Sequence, residues 1–171
     1  MMRLPAAAAL LVAAGIAAGC ASYSGSALRA GQSSMDDVLS TMGPPAMRWT
    51  RPDGGAQLSY PRGPEGVHSF MVWVGPGGRL ERIENALVPE QFARIREGMA
   101  AEDVLKVLGP PVPHWIADFP ARRERAWQWR ICYRFNPARF GVLMDADTLV
   151  VRSTFIDFDI QGPEGTPICT L

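Results

Sequence analysis

Apolar positions along this chain follow two rhythms, and each pair of rhythms occurs twice. Val38, Leu39 and Met42 recur at helical spacing, and Val104, Leu105 and Leu108 repeat the pattern; each set is one buried face of a short helix. After each helix the period changes to two. Trp127, Trp129, Ile131, Tyr133 and Phe135 alternate with Gln128, Arg130, Cys132 and Arg134, which predicts a strand with one aromatic-aliphatic side and one polar side. Residues 57–60, 69–74 and 80–85 predict three strands in the first half, with 75–78 as a turn, and 127–135, 140–144 and 149–155 predict three in the second, with 145–147 as a turn. The strand at 69–74 is unusual. Phe70, Val72 and Val74 supply one apolar side while Met71 and Trp73 supply another, and its own helix can cover only one of them. Met71 and Trp73 are therefore candidate interface residues, facing either the other half of the chain or a partner.

The two helices end in the same words. Val38-Leu39-Ser40-Thr41-Met42-Gly43-Pro44-Pro45-Ala46-Met47-Arg48-Trp49 returns as Val104-Leu105-Lys106-Val107-Leu108-Gly109-Pro110-Pro111-Val112-Pro113-His114-Trp115, identical at six of twelve positions. Glycine suits a helix C-terminus that turns left-handed, and Pro-Pro cannot continue the helix. Ser33 or Ser34 supplies a cap oxygen to the first helix, with Asp36 and Asp37 in its opening turn; the second has Glu102 and Asp103 but only Ala100 and Ala101 at the cap. A further helix begins at Pro89, carries Phe92, Ile95 and Met99 on one face and stops at Gly98. The first half has only residues 27–30 in that place. The tryptophans, recurring in both copies, are expected to pack the post-helix loop onto the sheet. This repetition predicts an α+β protein of two tandem helix(-helix) and three-stranded antiparallel sheet units. Copies of about 65 residues bury only about 60% of their unfolded surface, so the two are expected to pack together.

The N-terminus adds an address. Met1-Met2-Arg3 is a basic start, residues 4–16 are largely apolar, and Ala17-Ala18-Gly19 precede Cys20; the run is a secretory signal peptide, too short for a spanning helix. The small-small-Cys ending resembles a bacterial lipobox. That resemblance implies lipidation of Cys20 and cleavage after Gly19, and with Ala21 and Ser22 following, an outer-membrane destination on the periplasmic face. Several acyl chains make a stable membrane anchor. The expected division is 1–19 signal peptide, 20–32 tether, 33–86 first repeat, 87–160 second repeat and 161–171 tail. Of the three cysteines, Cys132 and Cys169 then remain as a pair in an oxidising compartment, and a bridge between them would staple the tail to the second repeat.

Charge and candidate chemistry change the picture little. Seventeen basic and seventeen acidic residues provide no field for nucleic acid, and Arg122-Arg123-Glu124-Arg125 reads as a solvated loop. His68 and His114 lack a nucleophile motif or a metal-ligand spacing around them, and Asp145-Ala146-Asp147 lacks the rest of a calcium ligand set. The reading is a noncatalytic protein without metal, cofactor or small-molecule substrate.

Pro89-Glu90-Gln91, Ile95, Gly98-Met99, Val104, Leu108 and Gly109-Pro110-Pro111 resemble the BamE (SmpA/OmlA) lipoprotein family, with residues 28–85 as a degenerate second copy. Val88 and Ala100 depart from that family, which tends to cap with Thr at both places. The resemblance implies a noncatalytic accessory of outer-membrane β-barrel assembly that contacts partner subunits and lipid. A rival expectation comes from the β-lactamase inhibitor proteins, which look like a tandem use of a related helix-sheet unit and imply a periplasmic protein-binding or inhibitory module. Both expectations begin with the anchor. Replacing Cys20 by Ala should move the mature protein from the membrane to the soluble periplasmic fraction; unchanged membrane retention would refute the lipid.

Overall fold

The computed structural model describes residues 22–158 and Cys169. Residues 1–21, and with them the signal peptide and Cys20, lie outside the described residues, as does most of the tail. The elements run α1 (Met35–Met42), β1 (Met47–Thr50), β2 (Ala56–Pro61), β3 (Ser69–Val74), β4 (Leu80–Asn85), α2 (Pro89–Phe92), α3 (Ala101–Leu108), β5 (Ala117–Phe119), β6 (Glu124–Tyr133), β7 (Asn136–Asp145) and β8 (Val151–Phe158). The protein is α+β, with two four-stranded antiparallel sheets in the orders β1-β2-β3-β4 and β5-β6-β7-β8.

Four strands replace the expected three in each sheet. The added strand is the segment after Gly-Pro-Pro: Met47 to Thr50 pairs with Ser59 to Ala56, and Ala117 to Phe119 pairs with Ala126 to Glu124. Both segments alternate apolar and polar residues but are only four and three residues long, too short for period alone to mark them, and they become strands because a neighbour's edge offers backbone partners. Other boundaries move for local reasons. β6 begins at Glu124, inside the charged run expected to be loop, and ends before Phe135, because Arg134 and Phe135 at φ of 49° and 66° make the tight turn into β7. Phe135 is 77% exposed. The helix expected over 89–98 is only Pro89–Phe92; Gly98 has φ +84° and its N–H donates to Val151 O, drawing the chain toward β8.

The expected tether is no free linker from Ser22 onward. Ser22 N donates to Thr41 O, Gly31 N donates to Leu80 O, and Leu28 packs on the first core. Gly25 is buried so tightly that a Cβ would lie 2.8 Å from Met42 Sδ.

The layers are α1, first sheet, α3 and second sheet. Val38 and Met42 of α1 pack on Leu58, Tyr60, Val72 and Val74, one side of the first sheet. Val104 and Leu108 of α3 pack on Trp129, Ile131, Phe140 and Val142, one side of the second, where Phe92 stacks on Phe140 with ring centres 4.2 Å apart. The other side of α3 meets the back of the first sheet. Gln57 Nε2 donates to Lys106 O at 2.6 Å, and Trp49 Nε1 donates to Glu102 Oε1 at 2.6 Å.

Both helix-ending glycines are constrained more tightly than a left-handed cap requires. Gly43 sits at φ 81°, ψ −170° and Gly109 at φ 79°, ψ −177°, a region reserved for glycine. Gly109 is also crowded, since a Cβ there would fall 2.4 Å from Ser59 Oγ and 2.9 Å from Ser69 Oγ. The starts differ as expected. Ser34 and Asp37 form a reciprocal capping box, with Asp37 N donating to Ser34 Oγ and Ser34 N donating to Asp37 Oδ2, whereas Ala100 makes no side-chain cap. Cys132 and Cys169 are joined, with Cα atoms 5.5 Å apart.

Gly109→Ala should cost about 3 kcal/mol, the penalty of a non-glycine residue in that region plus the displaced serines, read as a lower urea midpoint at unchanged slope. Ala100→Ser should stabilise by up to about 1 kcal/mol and raise the midpoint accordingly, and an unaltered midpoint for Gly109→Ala would show that α3 does not need this approach. Reduction of the Cys132 to Cys169 bridge should slow electrophoretic migration and destabilise by about 4 kcal/mol, on the loop-entropy account.

Candidate functional site

The two sheets differ in what covers their backs. In the first, the back presents Trp49, Gln57, Ser59, Met71 and Trp73, and α3 lies on it. Met71 is 1% exposed and packs beside the Gly109 turn. Trp73 is half-buried, carries the Arg82 guanidinium 3.9 Å from its ring centre, and lines with Met71 and Val107 a small groove between the halves. Both residues singled out from the doubly apolar strand therefore face the other half of the chain.

On the second sheet the corresponding back is built from Gln128 and Arg130 of β6, Arg139 and Gly141 of β7 and Phe155 of β8, adjacent by register. Among the described residues no α-helix lies over it, and a single 3-10 turn, Pro113–Trp115, contacts β6 there. Gly141 is there for a packing reason: a Cβ would come 2.1 Å from Phe155 Cζ, so the Phe155 ring lies flat across the glycine. Trp115 folds onto the same side. Its ring sits 4.5 Å below the Arg139 guanidinium carbon, and its carbonyl accepts from Gln128 Nε2 at 3.0 Å. Phe119 extends the aromatic surface at 38% exposure, with the Arg122 guanidinium over its ring, and neighbouring Ile116 is 41% exposed.

Trp49 and Trp115 are the closing residues of the repeated motif, and both lie on the backs of their own sheets. In the first half that position touches the adjoining helix through Glu102. In the second it lies on an arginine and aromatic surface. Packing of the loop onto the sheet thus accounts for Trp115, while Trp49 also reaches across the halves.

The remaining candidates take structural positions. His68 stacks on Phe70 and hydrogen-bonds the Tyr23 hydroxyl at 2.9 Å; burial holds its pKa below the ordinary value and raises that of Tyr23. His114 is exposed and meets Trp115 edge to face. Asp145 accepts from Thr148 N, Thr148 Oγ1, Asp147 N and Arg152. Those bonds hold its carboxyl far below the usual carboxylate range, the Thr148 backbone bond first, and explain the Asp-Ala-Asp turn without a cation. Hydrogen bonding to Arg125 likewise lowers the pKa of Asp118.

No family model matches the chain, and no curated protein matches it. Among solved structures, a "putative beta-lactamase inhibitor protein" from Streptococcus mutans is 9% identical, with the alignment covering 81% of this chain and 94% of that one at a TM-score of 0.29. Likeness at that score carries no argument.

The cross-half contact is directly testable. Trp49→Phe and Glu102→Gln should each destabilise, and a double-mutant cycle should show a coupling of about 0.5–1 kcal/mol; strictly additive effects would mean that the indole and the carboxylate do not interact.

Proposed function

We propose that this chain is a noncatalytic lipoprotein of the cell envelope, anchored through Cys20 at the periplasmic face of the outer membrane, acting by protein contact. On this reading it is two tandem BamE-like units, and its setting is β-barrel assembly or envelope integrity. The back of the second sheet is its partner surface. One observation carries that choice: the back of the first sheet receives α3, whereas the back of the second presents Trp115, Arg139, Phe155 and Phe119 with no described α-helix on it. Tryptophan and arginine are favoured where partners bind because each combines a large apolar face with a directional donor. The Cys132 to Cys169 bridge, formed in an oxidising periplasm, holds Cys169 at one end of this surface.

The same surface suits the rival role, a periplasmic module that binds or inhibits a soluble protein. The partner distinguishes the two. A photo-crosslinking residue in place of Phe155, activated in intact cells, should capture barrel-assembly subunits, and Arg139→Glu should reduce the yield. Capture of one soluble periplasmic enzyme would sink the assembly role and favour inhibition.

A further inference from the structure

We infer that the end of the molecule made by Tyr23 and the β2–β3 loop, residues 62–68, lies against the phospholipid headgroups, so that the membrane fixes which way the protein faces. This rests on lipidation of Cys20 as proposed above. The argument is the length of the leash. Ser22 is already pinned: its N–H donates to Thr41 O at 2.6 Å and its carbonyl accepts from Arg62 Nη2 at 3.0 Å. Arg62 Nε also holds Tyr23 O at 2.7 Å, so one guanidinium clamps two consecutive carbonyls. Tyr23 is fixed as well, its ring edge-on to His68 and Phe70 at 5.6 and 5.8 Å, its hydroxyl on His68 Nδ1 and pressed against Gly66.

Only Ala21 separates Ser22 from Cys20, two chain steps with a reach of about 7 Å at full extension. A free tether over residues 20–32 would instead span about 40 Å and leave the domain to tumble. β2 runs away from this end for six residues, about 20 Å, and the turns 51–55 and 75–78 lie at its far end. With the Ser22 clamp held, the anchor draws the Tyr23 end toward the headgroups and leaves those turns farther out. Tyr23, 49% exposed, has the amphipathic ring suited to the membrane interface. An apolar cleft of about 240 Å³, lined by Pro61, Gly63, Gly66, Pro110 and Val112, lies beside the same loop.

The test uses the full lipidated chain with a nitroxide on a single added cysteine, Glu65→Cys or Gly77→Cys. Glu65 is exposed in the β2–β3 loop, and nothing lies within 4 Å of a Cβ at Gly77. In phosphatidylethanolamine and phosphatidylglycerol vesicles containing a nickel-chelating lipid, relaxation of the Glu65→Cys label should exceed that of the Gly77→Cys label several-fold. Inserting a Gly-Ser segment of about ten residues after Cys20 should bring the two together. Vesicle-bound protein whose two labels relax equally, or in the reverse order, overturns the orientation and leaves the anchor standing. Protein that carries no lipid and stays off the vesicles overturns both.

Discussion

The approach of the α3 C-terminus to the back of the first sheet is the contact on which the other layers depend. Gly109 brings backbone against Ser59 and Ser69 where any side chain would collide, and its carbonyl accepts from the indole of Trp129, which belongs to the second sheet. One helix end is thus in contact with both sheets. The consequence is economy: α3 buries Val104 and Leu108 on one side and covers Met71 on the other, removing from water an apolar face that the first half could not cover alone.

A repeat built this way is necessarily unequal at its two ends. The helix of the second half fills the back of the first sheet, and among the described residues no α-helix lies on the back of the second. Local differences agree with that asymmetry. The first helix lies on the outside and carries a complete capping box, while the second starts at an uncapped Ala100 whose backbone is held by a bridge to Val150. Trp49 finds a carboxylate on the neighbouring helix, and Trp115 lies under an arginine on a sheet back that no described α-helix covers. Function, on the reading proposed, follows from this difference between the copies rather than from the motif they share.

The N-terminal segment shows how a few backbone hydrogen bonds change the meaning of a composition. Small polar residues between Ser22 and Gln32 look like a linker, since they bury little and prefer no regular structure. Their amides and carbonyls nevertheless pair with Thr41, Arg62 and Leu80, and Gly25 fits where only glycine can. An unanchored domain and one held at a fixed angle to its attachment point thus have the same local chemistry.

Periodicity by itself determined the two buried helix faces, the helix stops, the six longer strands and the doubly apolar character of β3, because each follows from side chains within a few residues of one another. Cys132 and Cys169 were legible as a pair once the lipobox resemblance set Cys20 aside. Only the tertiary structure decided that 47–50 and 117–119 are edge strands, that Phe135 is a turn residue and that Met71 and Trp73 face α3. It also decided that residues 22–32 are docked and that, among the described residues, the sheet back without an α-helix is the second one. Each of these depends on groups far apart in the chain: a strand edge with unpaired amides, a glycine whose partner is a distant serine, an indole meeting a carboxylate fifty-three residues away. Short-range pattern records what a segment needs to bury. Which surface buries it is settled by long-range packing, where each backbone group and apolar face must find its partner at once.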